Sequence, residues 1–204
     1  MNGEGALLPA GAAVMNMPVM PSLMTAEQLR SMPEDGVDRE LYFGQLREKP
    51  MTRRNPRHCL VTTKLAKLLD LWLDQQARPR GEVLTGEAGF RLRKNPDVAV
   101  GIDLAYISHD LASQTPEDAW LIDGLPILGV EILCPSDTHE AVLEKLRTYL
   151  KVGVPLVWLV DPDVRTVTVH RAGTEPEMFN VKQELSGEPE LPGFHIAVAE
   201  IFRR

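Results

Sequence analysis

Cysteine is scarce in this chain: Cys59 and Cys134 are the only two among 204 residues. They stand far apart, in stretches that read as a helix and a strand end. That excludes a disulfide framework and a thiolate metal cluster, and it suits a reducing cytoplasm. Positive charge is also short, with 22 Lys and Arg against 29 Asp and Glu and a formal net charge of -7. A global field for indiscriminate nucleic-acid binding is thereby excluded, and any phosphate contact has to come from a local patch. No apolar run approaches the roughly 18 residues of a membrane span. Residues 1–24 carry one charge, Glu4, and their apolar stretch is broken by Pro9, Pro18 and Pro21. A secretory leader needs a basic start and an unbroken core, so a flexible tail is expected there, ahead of a single domain over residues 25–204. Walker loops, Gly-rich dinucleotide fingerprints and Ser nucleophile elbows are missing too, and with them the chemistry each supports.

What the chain does have is centred on Gly129 to Pro162. The run Pro126-Ile-Leu-Gly-Val-Glu-Ile-Leu133 is the pattern of a strand covered on both faces, yet it contains Glu131. An ionised carboxylate buried without a partner costs several kcal/mol or more, so Glu131 must be paired, protonated or bound to a metal. A helix is expected to follow, capped by Asp137 with Glu140 completing a capping box. Its apolar stripe is Val142, Leu146, Tyr149 and Leu150, with Lys145 on the edge of the stripe and within reach of the sheet. A second apolar strand runs to Val160. Asp103, among Ile102, Leu104, Ala105, Tyr106 and Ile107, is a second misplaced carboxylate in the strand Val98 to Ser108.

Around this unit the periodicity predicts a short helix capped by Thr25 and a hairpin turning near Gly44. A long helix follows from Pro56 to about Gln76, then a strand over Gly81 to Arg93 that bends near Gly86 or Gly89. His109 to Gly124 reads as a loop. Thr166 to His170 reads as half of a hairpin with a free edge, followed by an edge strand and a terminal turn. Arg47, Lys49, Arg53, Arg54 and Arg57 face one nearby acid, Glu48, as either a solvated loop or a phosphate-facing patch. His58, His109 and His139 stand singly and suggest surface or capping roles, and Tyr149 and Trp158 suggest core.

Two carboxylates in adjacent core strands repel unless something positive lies between them. A divalent cation satisfies both, since Mg²⁺ is held by one or two carboxylates, waters and a substrate phosphate. A nearby ammonium can orient the attacking water and stabilise charge on phosphorus. The alternative is a structural Glu131 and Lys145 ion pair with Asp103 at a strand end.

The segments Gly101-Ile-Asp-Leu-Ala-Tyr-Ile-Ser108, Gly129-Val-Glu-Ile-Leu-Cys-Pro-Ser-Asp137, Lys145-Leu-Arg-Thr-Tyr149, Gly153 to Pro162 and Leu191-Pro-Gly-Phe194 resemble the Uma-type endonuclease family of the restriction-endonuclease-like PD-(D/E)XK superfamily. The resemblance spans about Thr25 to Phe202. It implies an α/β fold with a restriction-endonuclease-like core, a mixed central β-sheet flanked by α-helices, and Mg²⁺-dependent hydrolysis of DNA phosphodiesters, with Mn²⁺ able to substitute. Pro96-Asp97 spells the superfamily's dipeptide, but Asp103 fits the family's aspartate and Asp97 the preceding turn. The resemblance thus assigns the metal to Asp103, Glu131 and the backbone carbonyl of Ile132. It gives Lys145, displaced from the position of Leu133, the water-positioning role and Glu40 an accessory one. Gln45 and Cys134 depart from the usual Glu and Ser. Arg53, Arg54 and Arg57 are the candidate DNA contacts, and a homodimer is expected because one small domain covers little duplex. Rival readings are a non-cleaving nucleic-acid-binding or scaffold protein and a hydrolase of phosphorylated small molecules, since a fold does not fix an activity.

Overall fold

The computed structural model describes residues 23–51 and 53–203; most of the expected tail, residues 1–22, lies outside them. Helix α1 (Ala26–Arg30) begins at the anticipated capping box, in which the Thr25 hydroxyl accepts from the Gln28 N–H and the Gln28 side chain from the Thr25 N–H. Strands β1 (Val37–Tyr42) and β2 (Gln45–Pro50) form the hairpin, and Phe43 and Gly44 turn it with positive φ. Helix α2 (Pro56–Leu73) has Asn55 as N-cap and Pro56 at its first position, where a missing N–H costs nothing. Strands β3 (Glu82–Arg93) and β4 (Val98–Ile107) pair antiparallel.

The stretch expected to be a loop holds helix α3 (His109–Gln114), capped by the Ser108 hydroxyl, and the two-residue strand β5 (Ile122–Asp123). Elements this short have no period to read. Strand β6 (Leu128–Ile132), helix α4 (His139–Val152) and strand β7 (Leu156–Asp161) make a βαβ crossover with β6 and β7 parallel. The cap of α4 is Thr138, not Asp137: the Thr138 hydroxyl accepts from the Ala141 N–H, while Asp137 turns back to accept from the Cys134 N–H at 2.7 Å. Gly153, at φ +99°, ends the helix in the left-handed conformation that glycine adopts at least cost.

Strand β8 (Thr166–His170) corrects a second expectation. It pairs with β7 on one side and with β9 (Glu177–Asn180) on the other, so it offers no free edge. The C-terminal stretch is also more than an edge strand and a turn. Strands β10 (Glu184–Ser186) and β11 (His195–Ala197) form a separate two-stranded sheet, and helix α5 (Val198–Phe202) follows.

Among the described residues the main sheet has nine strands in the order β2-β1-β4-β6-β7-β8-β9, with β3 and then β5 branching from β4. Helix α2 covers one face through Val61, Leu65, Leu69 and Trp72, which pack on Leu128, Val130, Ile132 and Trp158. Helix α4 covers the other through Leu146 and Tyr149, which pack with Ile102, Ala105 and Val157. Burial on both faces explains the continuous apolar runs of β6 and β7. Among the described residues no helix is long and apolar enough to cross a membrane.

Candidate active site

Strands β1 and β6 both lie on the edge of β4 opposite β3, β1 at Ala99 and β6 from Leu104 to Tyr106. Continued past those pairs, the two registers compete for the same β4 residues, so β1 and β6 splay apart and leave a fork. Residues 100–103 have no ladder partner on that edge, and buried backbone groups left this way need other partners. The Gly101 N–H finds one in Glu40 Oε1 at 3.0 Å, and the Ile132 N–H finds one in Asp103 Oδ2 at 2.8 Å. Carboxylates from β1, β4 and β6 thus line one cleft of about 300 Å³ whose far wall is α4.

Asp103 owes its aim to an irregularity. Thr85 pairs with Leu104 and Ala88 with Ile102, so Gly86 and Glu87, both at positive φ, bulge opposite Asp103 alone. Such bulges bend strands and re-aim side chains. In β4 the alternation slips at the same place. Val98, Val100 and Ile102, and then Ala105 and Ile107, join the α4 side of the core, whereas Leu104 joins the α2 side.

Lys145 Nζ stands 2.9 Å from Glu131 Oε2 and 3.4 Å from Glu40 Oε1. The Tyr149 hydroxyl donates to Glu131 Oε1 at 2.7 Å and the Tyr42 hydroxyl to Glu40 Oε2 at 2.7 Å. Tyr149 is therefore core and also a partner of the site. On Asp103 the Oδ2 atom is engaged, while among the described residues Oδ1 faces only the Arg54 guanidinium at 3.7 Å. Asp97 has no part in this cluster, since its carboxylate accepts from the Ala26 and Asn95 N–H groups and fixes the entry to α1.

Burial works to raise the pKa of Asp103, but the neighbouring His58 and the Ile132 N–H outweigh it and hold the carboxyl below its usual value. Glu40 is likewise lowered, with Lys145 and Tyr42 overcoming burial. In Glu131 burial prevails, and with the Asp103 charge nearby it pushes the carboxyl up to about 7 despite Lys145 and Tyr149. Lys145 loses stability as a cation through burial and regains more from Glu131 and Glu40, so it stays charged. A carboxyl raised in the folded state contributes stability that is full below its ordinary value of 4.5 and is lost as pH rises through 7. The metal-free protein is expected to lose up to about 3 kcal/mol from this source between pH 5 and 8. Asp103 and Glu40 act in the opposite sense, only at lower pH. Urea midpoints in EDTA should show the fall in the wild type and not in Glu131→Gln; parallel curves would refute it.

The basic stretch is not a free patch. Arg47 makes a two-pronged pair with Glu144 across the cleft at 2.6 and 3.1 Å, Lys49 pairs with Asp38, Arg57 with Asp163, and Arg54 turns inward to Glu87. Arg53 is exposed. Among the described residues seven carboxylates and four cations line the cleft, so its wall is net acidic.

His58 corrects the expectation of a surface or capping role. It is 5% exposed, and its Nε2 lies 3.2 Å from Asp103 Oδ2 in an approach too oblique for a well-formed hydrogen bond. The signal was present in the sequence: position 58 falls on the stripe of Val61, Leu65, Leu69 and Trp72. Among the described residues no three His, Cys, Asp or Glu side chains converge closely enough to hold an ion together. A hard cation such as Mg²⁺ needs only one or two carboxylates, and the Asp103 Oδ1 atom, without a hydrogen-bond donor, fits that use.

The fold is thus a large mixed sheet with helices on both faces and an acidic cleft at a fork between strands. The solved structure of a "putative nuclease belonging to DUF820" from Anabaena variabilis has the same fold, with a TM-score of 0.71 at 19% identity over 86% of this chain and 96% of that one. The chain belongs to the Uma2 family, described as "Putative restriction endonuclease", whose family model matches residues 26–199. No curated protein matches it.

Proposed function

We propose that the protein is a divalent-metal-dependent endonuclease acting on DNA, with Asp103, Glu131 and the Ile132 carbonyl as metal ligands. The observation that carries this reading is the buried grouping of Asp103, Glu131 and Lys145 at the fork, where three neighbouring strands each present a carboxylate to one cleft. Mg²⁺, or Mn²⁺ in its place, would supply Lewis acidity toward water and phosphate oxygen. Lys145, held by Glu131 and Glu40, presents an ammonium to the cleft, where it can orient the attacking water and stabilise charge on phosphorus. In the reaction the water oxygen bonds to phosphorus, the bond to one ester oxygen breaks, and a phosphomonoester and a hydroxyl result. Glu40 serves as an accessory acid that fixes Lys145. Arg53, Arg54 and Arg57 are the proposed contacts to the DNA backbone, and of these Arg54 lines the cleft, 3.7 Å from Asp103 Oδ1.

A homodimer belongs to the same reading, and among the described residues the main-sheet strands β2 and β9 each pair on one side only. The unpaired thiols of Cys59 and Cys134 accord with a cytoplasmic setting. One observation favours a second reading, a nuclease-like binding protein that does not cleave: the cleft is acidic and its cations are already paired. Mn²⁺ calorimetry decides between them. The wild type should bind, and Asp103→Ala and Glu131→Ala should each lose at least about a hundredfold in affinity, as expected for removal of a direct ligand. No binding by the wild type, even with a short duplex present, would leave the second reading.

A further inference from the structure

We infer that His58 is a positioning residue for Asp103, holding one carboxylate oxygen so that the other is presented to a divalent cation. The inference rests on the proposed metal-binding role of Asp103. Its starting point is an unpaired polar atom, since the His58 Nε2 is buried and makes no well-formed hydrogen bond, yet faces Asp103 Oδ2 at 3.2 Å. A buried polar atom beside a carboxylate is not inert filling, because leaving it unsatisfied costs stability that an apolar side chain of similar size would not.

The backbone that carries the imidazole is itself fixed in the first turn of α2. Asn55, the N-cap of α2, accepts the His58 N–H at 3.0 Å, and Thr62, one turn on, donates to the His58 carbonyl at 2.9 Å with its hydroxyl 3.4 Å from Nδ1. Nε2, facing an anion at 3.2 Å, is the ring nitrogen that must carry hydrogen. On Asp103 the Oδ2 atom accepts from the Ile132 N–H at 2.8 Å and is faced by His58 Nε2 at 3.2 Å, while Oδ1 has no donor among the described residues. The carboxylate is held from two elements at once, α2 and β6. The second of these ties it to the residue whose carbonyl is the proposed backbone ligand, so Asp103 Oδ1 and Ile132 are fixed relative to each other. Outer partners of this kind set the orientation of a metal ligand, and their loss commonly weakens metal affinity 10- to 100-fold.

The test is Mn²⁺ calorimetry on the full chain, with urea midpoints measured in parallel. His58→Leu keeps the volume and removes the donor; His58→Gln places an amide N–H about where Nε2 lies, and His58→Asn falls short of it. His58→Leu should lose about 10- to 100-fold in Mn²⁺ affinity and His58→Gln should recover to within about threefold of wild type, with His58→Asn near the leucine variant. If His58→Leu does not fold, the contrast between Gln and Asn carries the test. Wild-type affinity in His58→Leu or His58→Asn, while Asp103→Ala fails to bind, overturns the positioning role alone. Absence of Mn²⁺ binding in the wild type overturns the metal reading and this inference with it. Equal loss in Gln and Asn would show that His58 acts only through packing.

Discussion

Replacing Lys145 with alanine is expected to destabilise the metal-free protein by about 3–5 kcal/mol, the usual penalty for removing one partner of a buried ionic group. Its Nζ is shared by Glu131 at 2.9 Å and Glu40 at 3.4 Å, and none of the three side chains is more than 16% exposed. Without the ammonium two carboxylates face each other across the fork, and Glu131, already pushed up to about 7, takes the proton. Urea denaturation in EDTA gives the loss directly. Adding Mg²⁺ should restore part of it, because a divalent ion neutralises the same pair. Glu40→Gln and Glu131→Gln combined with Lys145→Met should also recover stability while leaving plasmid cleavage dead. Lys145→Ala alone should cut cleavage by at least about 10²-fold, the scale of a lost transition-state donor. A Lys145→Ala variant within about 1 kcal/mol of wild type would mean that the carboxylates are not held as described.

The second large effect concerns nucleic acid itself. A cleft with seven carboxylates and four cations repels a phosphate backbone, and the cations available to offset that are already committed: Arg47 to Glu144, Lys49 to Asp38, Arg54 to Glu87 and Lys145 to Glu131. Like-charge contact across an interface costs several kcal/mol. A short duplex should therefore bind at least about 100-fold more weakly in EDTA than in Ca²⁺, which neutralises carboxylates without supporting rapid hydrolysis, as read by fluorescence anisotropy at fixed salt. Equal affinities in the two buffers would show that the duplex contacts some other face, and would remove the cleft from the account of binding.

Glu131 and Lys145 were legible in the sequence because each breaks a pattern that physics makes strict. A carboxylate interrupts a run covered on both faces, and a lysine lies on the margin of an apolar stripe, so local periodicity alone placed them. The βαβ unit, the α2 stripe and the β1 and β2 hairpin were readable for the same reason. The fork was not, because it depends on where β1 and β6 meet a strand far from both in sequence. Neither was the aim of Asp103, which follows from two residues of β3 opposing one of β4. The arginines looked free because Glu144, Asp163 and Glu87 come from distant elements. The cap of α4 moved by one residue because Asp137 had a nearer use at Cys134. The place of His58 follows from the stripe it shares with Val61, Leu65, Leu69 and Trp72, and not from its spacing to the other histidines.

The fork also has a consequence in time. Its floor and walls come from β1, β4, β6 and α4, so the cluster spans Glu40 to Lys145 in the chain and comes together only when strands distant in sequence have paired. Pairings of that separation form late, because the entropy of closing the intervening loops is lost before any contact offsets it. No fragment that stops short of Lys145 contains the cleft. A chain that has not yet reached Lys145 on the ribosome, or that is cut short before it, therefore lacks the cluster whatever the finished site does.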